Sequence, residues 1–301
     1  MLLTIKNAVP VSVWYMLISA LGFSLMAACV KEVSGLGIPV LEIVAARAIV
    51  SAIMSYADIK RKKIPVWGHN KKLLIARGTV GSFALMFVYY AVTTLPLAEA
   101  TLLQYLHPVF TAVLAIFFLK ETIQRSTIAC IVISLCGLLV MIQPNLALLN
   151  LEKPNLYLDS AIQYPWLSIG LGVLGALGSA VAYVIIKKLT KTDDSAVIIF
   201  YFPIVAFPLS MLMLGSDFVV PSLAAFVLLI FVGIFTQVGQ VGLTKALHCA
   251  DANKATAYAY VQVVFSVIIG WAYFNEAPII TTIIGGGLIL FGALINILWK
   301  R

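Results

Sequence analysis

The chain has 301 residues, 62% of them hydrophobic and 11% charged, with a formal net charge of +8 and a mean hydropathy of +1.06. A soluble domain of this length needs far more polar surface, so the composition excludes one. Nor is the basic excess a nucleic-acid patch, because its distribution along the chain follows another rule.

Ten apolar stretches have the length of roughly 20 residues that crosses a bilayer. They lie at about 11–30, 39–57, 73–93, 97–119, 126–143, 166–186, 196–214, 223–245, 254–274 and 279–299. The first follows Lys6, and Met26-Ala27-Ala28-Cys29 within it has some likeness to a lipoprotein cleavage box. The run is too long for a cleaved signal, so it reads as a retained span. Span two carries Arg47 near its centre, in VLEIVAARAIVS. An arginine at that depth costs at least roughly 2.5–3.5 kcal/mol on insertion scales, so it must meet water, a carboxylate or carbonyls. Glu42 is the nearest acid on the same span, but it lies about 140° round the helix and is no automatic partner. Two readings stay open for Arg47: contact with an anionic solute, or a clamp between helices.

Short segments separate most spans and leave no room for a soluble catalytic domain. With the N-terminus inside, the inner segments hold Lys6, Lys60 to Lys63, Lys71, Lys72, Arg77, Lys120, Arg125, Lys187, Lys188, Lys191, Lys245, Lys254, Lys300 and Arg301. The outer segments hold only Lys31 and Lys153. That asymmetry is a topology signal and places both termini in the cytoplasm. Cys29, Cys130, Cys136 and Cys249 show no paired spacing, so neither a metal site nor a disulfide framework is expected. Trp14, Trp166 and Trp299 stand at span ends, as interfacial residues do.

A repeat organises everything else. AEATLLQYLHPVFTAVLAIFFLKE at 98–121 returns 155 positions later as NKATAYAYVQVVFSVIIGWAYFNE at 253–276. Ala100 then meets Ala255, Thr101 meets Thr256, Tyr105 meets Tyr260, Val109-Phe110 meets Val264-Phe265, and Glu121 meets Glu276. The chain therefore divides into a first five-helix repeat at 1–145, an external connector at 146–165 and a second repeat at 166–301. Five is odd, so the copies enter the membrane from opposite sides. The expected fold is an all-α membrane protein of ten transmembrane helices in a 5+5 inverted-topology repeat, with a site near the midplane.

Polar side chains at membrane depth cluster on matching faces. Span four presents Gln104, His107 and Thr111, and span nine presents Gln262 and Ser266 at the repeat-related positions. Span eight adds Gln237, Gln240, Thr244 and His248, and span three adds Ser82, Tyr89 and Thr93. A solute cavity and plain interhelical hydrogen bonding both fit these stripes. Tyr105, Tyr183, Tyr258 and Tyr260 could stack on a ligand or simply pack. Pro108 frees a backbone carbonyl about one turn earlier, near Gln104. Glu121 and Glu276 end their spans just before the next helix and read as structural caps.

The two A-T-x-x-x-Y-x-x-x-V-F…E blocks, together with the duplication and the span count, resemble the EamA-type family of the drug/metabolite transporter superfamily. That resemblance implies an inner-membrane carrier for a small solute, working by alternating access, often as an exporter. It implies that spans three, four, eight and nine line the cavity while five and ten are peripheral. The run from Asp251 to Tyr260 is similar to members that carry nucleoside-like or S-adenosylmethionine-like solutes. The substrate-lining set is then Tyr89, Gln104, Tyr105, His107, Gln237, Gln240, Tyr258 and Gln262, with Arg47 and Glu42 as anion contact or charge partner. No cofactor is expected, and the partners are a small-molecule solute and the lipid bilayer, with a homodimer left open. The competing classes are a channel, a non-transport helical scaffold and a membrane-embedded enzyme; no clustered nucleophile, metal set or acid pair at membrane depth marks the last.

Overall fold

The computed structural model describes residues 10–94, 103–142, 166–275 and 280–299, and all regular structure among them is helical. The connector and Glu276 lie outside these residues. The first repeat contributes α1 (Val11–Gly35), α2 (Val40–Lys62), α3 (Lys71–Thr94), α4 (His107–Leu114, extended by a π-type turn at Ala115–Leu119) and α5 (Arg125–Ile142). The second contributes α6 (Trp166–Leu189), α7 (Ser195–Leu214), α8 (Leu223–Cys249), α9 (Ala252–Phe274, interrupted at Tyr258–Tyr260) and α10 (Ile280–Leu298). Among the described residues seven helices are long and apolar enough to cross a membrane; α4, α5 and α10 are shorter.

Local chemistry explains the boundaries. Pro10 and Pro39 precede α1 and α2, where a missing N–H removes no helical bond. Gly37, at φ +83°, turns the chain between them. Lys60, Arg61 and Lys62 occupy the last turn of α2, where the carbonyl end of the helix favours cations. Asp194 accepts from Ala196 N (2.8 Å) at the start of α7, and Ser222 accepts from Ala225 N (3.3 Å) at the start of α8.

The packing follows the duplication. Helix α1 lies along α8, and α6 lies along α3; α2 also meets α8, and α7 meets α3. Two pairs join equivalent helices, α2 with α7 and α5 with α10. Exchange of the repeats turns α1 with α8 into α6 with α3 and α2 with α8 into α7 with α3, and maps each of the last two pairs onto itself. A Cβ on Gly22 of α1 would lie 2.8 Å from Gly239 N, and one on Gly242 would lie 2.6 Å from Tyr15 O. Ser19 Oγ donates to Gly239 O across the same contact (2.7 Å). On the related α6, Gly175 and Gly178 approach Val88 and Ala84 of α3. Between helices immersed in lipid, such small residues let backbones come close enough for dispersion to hold them.

Both fourth spans break at one register. A turn at Tyr105–Leu106 precedes His107 and Pro108, and a tight 3₁₀ turn occupies Tyr258–Tyr260. The Tyr105 carbonyl, left without a helical N–H, accepts from the Tyr260 hydroxyl (3.1 Å), and the two rings stack at 5.9 Å. Residues 155 apart in sequence thus satisfy each other where the two copies meet.

Candidate functional site

Polar groups in the interior form a seam between the repeats. Its centre is the ring of Phe202 on α7. The guanidinium carbons of Arg47 (α2) and Arg77 (α3) lie over that ring, 5.6 and 4.7 Å from its centroid. Their separation is therefore bounded at about 10 Å. Arg47 is 4% exposed and Arg77 3%. Arg47 Nη1 donates to the Tyr89 hydroxyl (3.2 Å) and reaches Met26 Sδ (3.8 Å). Arg77 Nη2 donates to Gln240 Oε1 (3.1 Å). All of these partners are neutral, and Arg47 Nε, Arg77 Nε and Arg77 Nη1 have no acceptor among the described residues.

The seam continues through aromatic rings. Tyr183 of α6 lies near Arg77 and packs edge-on against His107 at 5.2 Å. His107 lies 6.3 Å from the Tyr105 ring, which stacks on Tyr260. His107 Nδ1 and the Tyr258 hydroxyl are buried with no hydrogen-bond partner among the described residues. Gln104 and Gln262 are half-buried on the same fourth spans. Ser24 ties α1 to this region, donating to Gln262 O (3.0 Å) and accepting from Ser266 Oγ (3.2 Å).

Other sequence candidates have different neighbours. Gln237 accepts from Ser51 Oγ (2.6 Å) and donates to Ser55 Oγ (2.8 Å), which fastens α8 to α2. Its side-chain carbonyl and amide are both engaged between helices. Glu42 does not pair with Arg47; it accepts from Val219 N (3.0 Å) in the loop that leads into α8. Glu121 does not cap the helix that follows it. Its carboxylate accepts from Ala252 N (2.9 Å), Asn253 N (3.2 Å) and Asn253 Nδ2 (3.0 Å), so it holds the first turn of α9 in the other repeat. Burial raises the Glu121 carboxyl above its ordinary range, against the backbone donors and the Lys187 charge, which lower it.

Arg77 is the residue that the charge pattern misplaced. It follows Lys71 and Lys72, so it reads as another surface charge. Gly81 lies one turn on from it, and Gly78 and Ser82 flank the same face, the side that packs on α7. A charge aligned with small residues at i+4 faces a neighbouring helix, and that spacing was the available signal.

The basic end of the bundle is built differently. Asp193 accepts from His69 N, Asn70 N and Thr192 Oγ, and Asp194 pairs with Lys62 at 2.8 Å. Lys187 Nζ donates to Leu247 O (2.8 Å) and to Ala250 O, and the Tyr201 hydroxyl donates to Trp67 O (3.0 Å). Two depressions of about 340 and 320 Å³ are lined by neither Arg47 nor Arg77. One is beside Arg125 and Trp299, and the other is an apolar groove between α2 and α7.

A helical membrane bundle made of two like halves, with a buried polar seam where they meet, is the architecture of a polytopic carrier. The chain belongs to the EamA-like transporter family, whose model matches residues 11–143 and 166–298. It is 30% identical over 269 residues to the pseudopaline exporter CntI of Pseudomonas aeruginosa, covering 89% of each chain. It is 30% identical over 286 residues to human solute carrier family 35 member G1, covering 91% of this chain and 75% of that one. It is 29% identical over 216 residues to the S-adenosylmethionine uptake transporter of Rickettsia conorii, covering 72% and 68%. A solved crystal structure shares the fold, with a TM-score of 0.80 at 17% identity over 94% of this chain and 95% of that one. The protein is a multi-pass membrane transporter of small metabolites.

Proposed function

We propose that the protein is a secondary carrier of the cell (inner) membrane that moves an amino-acid-like or nucleoside-like metabolite by alternating access. Its repeats span 1–145 and 166–301, inverted relative to each other, with the connector outside and both termini cytoplasmic. It transports without covalent chemistry. The pathway runs along the seam lined by Arg47, Tyr89, Gln104, Tyr105, His107, Gln240, Tyr258 and Gln262. Gln237 and Glu42 hold helices and loops in place, and Glu121 ties the two repeats together.

The observation that carries this reading is that Arg47, Arg77, His107 and Tyr258, drawn from the two repeats and neighbouring one another on one seam, each leave a buried polar atom without a partner among the described residues. The other such atoms are single hydroxyl or amide groups elsewhere in the bundle. A scaffold would satisfy such groups, because an unpaired polar atom away from water costs about 1–3 kcal/mol. A solute in transit can satisfy them. Net export is the favoured direction, because a relative that aligns over 89% of both chains is named an exporter. The S-adenosylmethionine uptake relatives support a polar, zwitterionic solute of similar size.

The test is counterflow in proteoliposomes loaded with candidate metabolites. A carrier gives saturable uptake accelerated by solute on the opposite side. Flux that rises linearly with concentration and shows no trans-acceleration would identify a channel instead.

A further inference from the structure

We propose that Arg47 and Arg77 together form an anion-binding centre in the transport pathway, and that the transported solute carries a carboxylate which they clasp. The inference rests on the carrier reading above and narrows its substrate class. Both guanidinium groups are buried over one phenyl ring, and each spends a single nitrogen on a neutral oxygen. A guanidinium has five N–H donors, so most of this capacity is unspent. Among the described residues the buried carboxylates are Glu42 and Asp193, and both are committed elsewhere, to Val219 N and to the His69–Asn70 turn. The other groups facing the arginines are Tyr89, Tyr183, Gln240 and Met26, and none carries a compensating charge. Among the described residues, two like charges therefore share a buried site with no carboxylate opposite them, and an anion completes it.

The chemistry favours a carboxylate over a phosphate. A phosphate site in proteins ordinarily borrows backbone N–H groups from a helix start or a glycine-rich turn. Arg47, Arg77 and Phe202 all lie inside continuous helices whose N–H groups are already bonded. Only planar side-chain forks remain, and these match a planar carboxylate with two parallel hydrogen bonds. The Tyr89 hydroxyl accepts from Arg47 and keeps its own proton to donate to the same anion. Phe202 offers an apolar floor for the carbon skeleton.

The experiment measures the melting temperature of the purified protein with an ultrafiltered small-molecule extract of its host cells. Further samples receive the same extract after methyl esterification of its carboxylates, or after phosphatase treatment. The proposal expects the untreated and phosphatase-treated extracts to raise the melting temperature and the esterified extract to lose that rise. Arg47→Gln and Arg77→Gln should each abolish the response while melting at or above the wild-type temperature without solute. Equal stabilisation by native and esterified extract, or loss after phosphatase alone, would overturn the carboxylate assignment and leave the carrier reading intact. No stabilisation by any extract, with no counterflow of its components, would remove both. Esterification needs no variant, so the assignment stays testable even where a substitution prevents folding.

Discussion

The basic end of the bundle and its centre handle buried polarity in opposite ways. At the end, Asp193, Asp194, Lys187 and Glu121 each find two or more partners, many of them on the other repeat or across a loop. At the centre, two arginines, a histidine and a tyrosine keep atoms without partners. Sequence composition does not account for this, since acids and amides were available for both places. The difference separates what holds the halves together from what waits for a solute. A satisfied network specifies one arrangement of the helices, whereas open donors are left to be satisfied by something that leaves again.

The sharpest way to break that contrast is at the arginines. Arg77→Gln removes a buried charge whose placement costs roughly 2.5–3.5 kcal/mol, so melting should be unchanged or rise. Transport should fall by at least about tenfold, which is the loss of a single interaction of about 1.4 kcal/mol. A large fall in melting temperature with transport retained would turn Arg77 into a clamp.

Glu121→Gln attacks the other side of the comparison. Losing charge-assisted bonds to Ala252 and Asn253 should cost about 1.5–3 kcal/mol and loosen α9 at its first turn. Hydrogen exchange at residues 252–257 in nanodiscs checks it, with faster exchange expected there and little change in α2 and α3.

Gln237→Leu separates the amides. It should lower stability by about 0.6–1.7 kcal/mol, the range for hydrogen bonds between membrane helices, and leave substrate affinity unchanged. Gln240→Leu should instead weaken binding, because it releases Arg77. Equal effects on affinity would place both glutamines in the pathway.

The smallest effect belongs to Asp194. Burial raises its carboxyl, but the hydrogen bonds from Lys62 and Ala196 N outweigh burial and hold it below the ordinary aspartate range. A depressed folded value means that stabilisation is complete above the unfolded value and is lost as pH falls through the folded one. Asp194→Asn should cost no more than about 1 kcal/mol at neutral pH, since the Lys62 pair is partly exposed. It should also flatten the acid limb of melting temperature against pH.

Much of this architecture was legible in the residues themselves. The 155-residue register marked Tyr105 and Tyr260 as equivalent positions, and the structure brings the two together; Pro108, which frees a backbone carbonyl, marked the irregular stretch of the fourth span. The site was less legible. Glu42 and Glu121 were read from their own helices, but their partners are backbone N–H groups more than 130 residues away, and no local pattern encodes that pairing. Gln237 looked like a lining residue because stripe position cannot distinguish a neighbour's hydroxyl from a solute's. Arg77 was hidden by two lysines beside it.

The central claim is that the repeats rock against each other, so the contact between Glu121 and the start of α9 at the basic end must part in one state, and a cross-link over that contact tests it most directly. In a chain whose native cysteines are replaced by serine, Glu121→Cys and Asn253→Cys are joined by a short bis-maleimide, beside a matched sample treated with a monofunctional maleimide. The account predicts that counterflow in proteoliposomes is abolished by the cross-link and largely retained with the monofunctional reagent. Full counterflow in the cross-linked protein would contradict it.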